Sequence, residues 1–465
     1  MRSSNTCLER LALLALIGQV AWAVDPNRAM SQYIRDRWGV ERGFPKGPVY
    51  AITQTEDGYL WIGAEAGLVR FDGVNFRVMA PVTNALGVTP DRAGNLWVRV
   101  QYANLLRFRE GVFDNPVEPL GYTNFTAMCR TNRGELLVSV AEHGALTYRA
   151  GRFEMVADAS ALPRSPVISM AQTRSGEIWM GTRDAGLFRL GGGASTAVTK
   201  GLPDLKINCL LPDGERGLWV GTDGGIARWN GTEVVGAGGG LDHVQVLAMA
   251  ADRDGNLWVG TDSRGLLRVN AQGAMPLDAP GSGSGEAVTA VFEDREGNLW
   301  LGSASGLERL RDSVFVTYSV GEGLPSRRNG AVYNDARNRT WFAPVEGGLY
   351  RLGKDGVTAV DAAGLAKDVV YSIAGSGDDL WVGRQHGGLT HLGANGARTY
   401  TEADGLAQNS VYSVYQDRGG AVWAGTLTGG VSKWQGGKFV TYSEANGMTS
   451  DSVSAILEAA DGTML

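Results

Sequence analysis

Apolar and small residues alternate along this chain in short bursts. A first burst reads Val-x-Ala or Val-x-Ser, as at Val49 to Ala51, Val246 to Ala248 and Val411 to Ser413. A polar turn follows, often Asp-Gly or Glu-Gly (Asp57-Gly58, Asp254-Gly255, Glu296-Gly297). Such dipeptides accept the positive φ of tight hairpin turns. A second burst carries Leu-Trp-x-Gly. A glycine turn leads to a third, such as Gly67 to Phe71 or Gly186 to Leu190. A short, often aromatic burst closes the unit (Phe76, Phe153, Phe315 to Tyr318, Phe439 to Tyr442). Period-two alternation between Gly-rich turns predicts four short strands per unit.

The unit repeats. Its tryptophans are Trp61, Trp97, Trp179, Trp219, Trp258, Trp300, Trp341, Trp381 and Trp423, and Leu137 takes the Trp place in the third copy. Successive spacings are 36, 40, 42, 40, 39, 42, 41, 40 and 42 residues. Four strands in about 40 residues make one blade of a β-propeller. The fold class is therefore all-β, a propeller of four-stranded blades. The tryptophans at one phase plug the space between blades, where an indole buries some 150–250 Å². Trp229 lies outside that phase and is expected to matter less for stability.

Ten copies exceed the usual four to eight blades. The expected organisation is one seven-bladed propeller over residues 24–312 and an incomplete second one over 313–465. Trp38 to Pro45 (WGVERGFP) matches Tyr318 to Pro325 (YSVGEGLP) position for position. An outer strand, Ser31 to Trp38, thus precedes the first blade without one of its own. It is expected to pair beside Gly306 to Leu310 and seal the ring. An eleventh copy starts at Asp461 and stops at Leu465, short of its Trp. The chain is read as the N-terminal fragment of a longer protein.

The first 23 residues read as an export signal. Arg2 and Arg10 precede the apolar run Leu11 to Ala23, which ends in Ala21-Trp22-Ala23, a small-x-small cleavage pattern. Removing Arg2, Glu9 and Arg10 takes a net +1 from the chain's −6, so the mature part carries −7. That balance, with no basic run longer than Arg327-Arg328, disfavours nucleic acid as a partner. No later stretch reaches membrane-spanning length, so a membrane is involved only through a missing C-terminal part. With 43% hydrophobic and 20% charged residues the chain is not disordered, and three cysteines cannot staple 465 residues. Cys7 leaves with the signal. Cys129 and Cys209 fall in apolar strand segments and read as small core residues.

Candidate chemistry is sparse. His143, His243, His386 and His391 form no H-E-x-x-H and pair with no cysteine cluster, so neither zinc nor any other cofactor is expected. His386 and His391 flank a Gly-Gly turn and read as solvated loop residues. Asp252-Arg-Asp254-Gly-Asn256 lacks the spacing and closing Glu of a calcium loop and reads as a hairpin turn. The glycine runs 236–240 and 281–285 read as loops.

The segment PVYAITQTEDGYLWIGAEAGLVRFDGVNF (48–76) resembles the first repeat of the two-component regulator propeller family, and MAADRDGNLWVGTDSRGLLRV (249–269) resembles its standard repeat. The resemblance covers the chain from about residue 31 onward. It implies paired seven-bladed propellers in the periplasm, followed by a small β-sandwich, a transmembrane helix and a cytoplasmic output. That output is commonly a histidine kinase and sometimes a diguanylate cyclase. Several members recognise glycans or their breakdown products. Repeats two and three depart from the pattern: Arg99 replaces the motif glycine and Leu137 the tryptophan.

The resulting reading is a periplasmic, non-enzymatic ligand-sensing region of a signalling protein anchored in the inner membrane. Its partner is a small molecule or an oligosaccharide, with room for a homodimer. An extracellular scaffold or adhesion propeller, and a propeller glycan lyase or hydrolase, stay open as alternatives. The loops leading into the innermost strands collect at one mouth of a propeller. In repeat eight that loop carries Arg327, Arg328 and Asn329, a donor-rich set suited to an acidic or sulfated sugar.

Overall fold

A computed structural model describes residues 28, 30–79, 82–236, 240–270, 273–277, 285–313, 315, 318, 320, 323–326, 328–353, 356–376 and 379–465. The export signal expected over 1–23 lies outside these residues. Ten separate four-stranded antiparallel sheets follow one another along the chain. Nine are built from consecutive strands, so each is one blade. The chain divides into two compact units, one ending at Phe315 and the other beginning at Val316.

Blade 1 shows how sequence becomes structure. Its strands are Val49–Gln54, Leu60–Ala64, Gly67–Phe71 and Phe76–Met79. The inner strand sets Ala51 opposite Gly63, with a register shift between Val49 and Ala51. Val49 is fully buried, and all of Leu60–Ala64 is buried as well. A strand buried on both faces must be apolar or small throughout, which is why Leu-Trp-Ile-Gly-Ala reads without polar alternation.

The motif tryptophan packs across the gap to the next blade. It meets the residue that closes that blade's third strand. Trp61 lies 5.1 Å from Phe108, Trp97 4.7 Å from Tyr148, and Trp179 5.2 Å from Trp229, between ring centroids. Trp229 is therefore a core residue, buried beside Trp179, Leu187 and Ile207. This corrects the expectation drawn from its phase: it fills the second half of the same contact.

The same contact closes the first ring. Trp300 of the seventh blade lies 5.7 Å from Phe71 of the first, and Val49, Phe71, Ala290 and Leu307 share one core. Ile34–Trp38 pairs antiparallel with Gly306–Arg311, from Ile34 opposite Arg311 to Trp38 opposite Leu307. The strand expected to seal the ring thus supplies the outer strand of the seventh blade. Trp38 stacks on Trp300 at 5.5 Å and touches Phe71 at 5.6 Å. Asp36 accepts from Arg309 at 2.8 Å and Arg311 at 3.0 Å, and Arg35 pairs with Glu308. Partial burial by itself raises the Asp36 carboxyl, but the two guanidiniums hold it below its ordinary value.

The second unit holds three blades. Their inner strands are Asn329–Asn334, Val370–Ser376 and Val411–Gln416. Between the last two blades Trp381 lies 5.0 Å from Trp434.

Candidate functional site

A closed ring of blades leaves an axial channel walled by inner strands. In the first unit its two ends are built differently. At one end, the turn between the second and third strands of a blade bonds to the residue entering that blade's inner strand. Glu65 N donates to Pro48 O at 3.0 Å, Arg183 N to Pro166 O at 3.0 Å, and Asp262 N to Gln245 O at 3.1 Å. Asp223 sits here, accepting from Lys206 at 3.0 Å and from Asn208 and Gln245 at 2.8 Å. Partial burial raises its carboxyl, and the bonds from Asn208, Lys206 and Gln245 bring it below the ordinary value.

At the other end stand the turns between first and second strands. They enclose a cavity of about 800 Å³ that includes Arg130, Arg253, Glu293, Asp294 and Arg295. Most of its charge is engaged in tying blade to blade. Arg253 Nε donates to Glu293 at 2.6 Å and its Nη2 to the carbonyls of Asp294 and Arg295. Arg295 repeats the reach one blade on, with Nη1 2.8 Å from Glu56 O. Burial pushes the Glu293 carboxyl up, against the opposing pull of Arg253.

The aspartates that open these turns are structural. Asp252 Oδ2 accepts from Trp258 Nε1 and from Asn256 Nδ2, each at 2.7 Å, and its Oδ1 accepts from Asn256 N at 2.8 Å. Asp91, Asp294, Asp335 and Asp417 bond the tryptophan six residues later in the same way. The hairpin-turn reading of Asp252 to Asn256 holds. Among the described residues no group of three His, Cys, Asp or Glu is placed to hold a metal ion.

Cys129 and Cys209 are free and pack against core residues of neighbouring blades. Burial pushes each thiol up to about 12, so neither is a nucleophile at neutral pH. His386 is exposed beside Asp368, as a loop histidine should be. His391 differs from expectation: it lies within the strand Leu389–Gly393, stacked on Trp381 at 4.2 Å.

Of the three site residues expected from sequence, Arg327 lies outside the described residues. Arg328 is exposed; its N–H donates to Ser326 Oγ at 3.0 Å and its carbonyl accepts from Val345 N at 2.9 Å. Asn329 opens the inner strand of its blade. Glu346 is close by, held below its usual range first by a bond from Ser326 and also by the Arg328 charge.

The profile of the family described as "Two component regulator propeller" matches residues 43–66, 201–224, 240–263, 282–305 and 405–428. Each match spans an inner-strand entry and a Leu-Trp-x-Gly strand or its equivalent. No curated protein matches the chain. Among solved structures, the extracellular domain of the putative hybrid two component system BT3049 from B. thetaiotaomicron superposes with a TM-score of 0.57 at 19% identity, over 93% of this chain and 69% of that one. That of BT4673 from the same organism gives 0.51 at 19% identity, over 93% and 64%. The chain thus spans about two thirds of these structures' length, and at this identity the likeness shows the fold. No helix among the described residues is long and apolar enough to cross a membrane. Five of its repeats therefore match the two-component regulator propeller family, and the chain as a whole shares the fold of the solved propeller domains.

Proposed function

We propose that this chain is the ligand-sensing propeller region of a two-component signalling protein. In this reading the region lies in the periplasm, exported by residues 1–23. Its parent continues to a membrane anchor and a kinase or cyclase output. The observation that carries the reading is the set of five matched regulator repeats, laid on a closed ring of blades. The carboxylates Glu293 and Asp294, at the end of the channel with the first-to-second-strand turns, are held by an arginine and a turn amide. Glycan-derived ligands fit the same reading. The loop with Arg327, Arg328 and Asn329 is one proposed contact for an acidic or sulfated sugar.

Two measurements test this. A phosphatase fusion after residue 465 should be active only with residues 1–23 in place; activity without them removes the export claim. The secreted chain should melt higher with one class of oligosaccharide in a panel of neutral, carboxylated and sulfated sugars. A panel-wide null, with the protein folded, counts against sensing of glycans. For the loop, Arg328→Ala should weaken an acidic hit; equal affinity removes the loop from the site.

A further inference from the structure

One blade of the first ring breaks the pairing rule of the other six. Where inner and second strands face each other at the channel wall, a small inner residue stands opposite glycine or serine. The pairs are Ala51 with Gly63, Ala127 with Ser139, Ser169 with Gly181, Cys209 with Gly221, Ala248 with Gly260 and Ala290 with Gly302. In the second blade, Ala85–Pro90 pairs with Leu96–Val100, and Gly87 stands opposite Arg99. The glycine has moved to the inner strand and a long cation has taken its usual place.

A Cβ on Gly87 would lie 2.9 Å from Met128 Cε, and at ordinary contact distance, 3.7 Å and 3.8 Å, from Arg99 Nε and Cβ. The glycine makes room for Met128, and Arg99 packs alongside it. With inner-strand residues of four successive blades, among them Ala51, Val88, Ala127 and Ser169, Arg99 lines a channel cavity of about 220 Å³. Arg99 is the only charged residue in that lining. Among the described residues its side chain makes no hydrogen bond or ion pair, unlike Arg253 and Arg295 at the end with the first-to-second-strand turns. Burial pulls its pKa below the ordinary guanidinium value, yet arginine does not deprotonate in proteins. Arg99 is partly exposed and none of its nitrogens is among the fully buried, unpartnered polar atoms, so the cation is open to solvent and to a ligand. Local departures from a rule of the fold concentrate at functional sites.

At the adjoining turn Tyr102, three residues beyond Arg99, is 89% exposed. Its φ of 61° is shared by Glu142 at the same place in the next blade, φ 65°, so what sets this turn apart is an aromatic face held in solvent.

We propose that Arg99 is the receptor, inside the first ring's channel, for the carboxylate or sulfate of a small sugar acid, with Tyr102 as an aromatic contact for the sugar. Five fork-arranged donors suit a planar or tetrahedral oxyanion. The cavity is many times the space of one water but smaller than a usual drug-sized pocket. It takes an anionic head and leaves the rest of the carrier in the open channel. The inference rests on the reading of the chain as a ligand-sensing region, and because binding is measured on the isolated chain its failure is distinguishable from a failure of that reading.

The test is calorimetric titration with glucuronate and glucose 6-sulfate, inorganic sulfate as a bare oxyanion, and glucose as the neutral control. The sugar acids should bind and glucose should not. Arg99→Gly puts at this position the glycine that five of the other six blades carry there, and should fold, with a ligand-free melting temperature equal or higher. It should weaken the sugar acids about 10- to 100-fold, the range expected for a charged hydrogen-bonding group; Arg99→Lys should weaken them less. Tyr102→Ala should weaken the sugar acids and leave sulfate unchanged. Sulfate binding as tightly as the sugar acids, with Tyr102→Ala neutral, would keep the oxyanion receptor and overturn the sugar carrier. Unchanged affinity in Arg99→Gly, or no binding by any charged probe, overturns the proposal.

Discussion

At the scale of single residues, five blades are organised by an aspartate and a tryptophan six positions apart. In these the carboxylate caps the hairpin turn and takes the indole N–H, so a large apolar plug is buried with its donor satisfied; the buried Trp179 N–H, in a blade with Thr173 at that place, has no partner. Asp252→Ala would strand Trp258 Nε1 and the Asn256 amide, both buried. It should cost about 2 kcal/mol or more, on the penalty for unsatisfied buried groups. Trp258→Ala should cost about 3–5 kcal/mol, as large core deletions do. Trp229→Ala should fall in the same range, because its indole is the other face of the Trp179 contact. Urea melts of the three variants check all of these. A Trp229→Ala variant as stable as wild type would mean the cross-blade contact is not formed.

One turn aspartate, Asp335, also sets a pH dependence. Burial alone would raise the Asp335 carboxyl, but bonds from Trp341 Nε1, Arg339 and Arg337 N carry it down from 3.8 to about 2. A folded pKa below the unfolded one stabilises at pH above the unfolded value, and the gain fades as pH falls through the folded one. The second unit should lose this contribution between about pH 4 and pH 2. Asp335→Asn should be less stable than wild type at pH 7, with the gap closing near pH 2. A gap that is the same at both pH values would contradict the assignment.

At the scale of elements, much was legible in the sequence. Period-two bursts gave the strands, and the Trp spacing gave the blades. The eight-residue match between Trp38 to Pro45 and Tyr318 to Pro325 exposed the spare outer strand before it could be seen paired. What stayed hidden depended on register. Trp229 closes a third strand at the place held by Phe71, Phe108 and Tyr148, but its contact partner lies in another blade. Arg99 stood out as a replaced glycine, yet its role emerges only once Gly87 is known to face it. His391 sits near a Gly-Gly turn in sequence and inside a strand in space. At this scale Trp38→Ala should be among the most damaging changes in the outer strands, since Trp38 touches Trp300, Phe71 and Phe76 together. A loss of about 3–5 kcal/mol is expected, and a melt within 1 °C of wild type would refute it.

At the scale of the whole molecule, the first unit gains what an open array of blades lacks, which is a closed wall around a channel. Closure comes from a strand 273 residues away from its partner, and it turns seven separate sheets into one ring. The sensing proposal and the Arg99 site both depend on that wall. Native-state hydrogen exchange tests it most directly. The ladder amides of Ile34–Trp38 should exchange as slowly as those of Gly306–Arg311, opening only with the ring. Rapid exchange of Ile34–Trp38 while the seven inner strands stay protected would show that the strand does not seal the propeller.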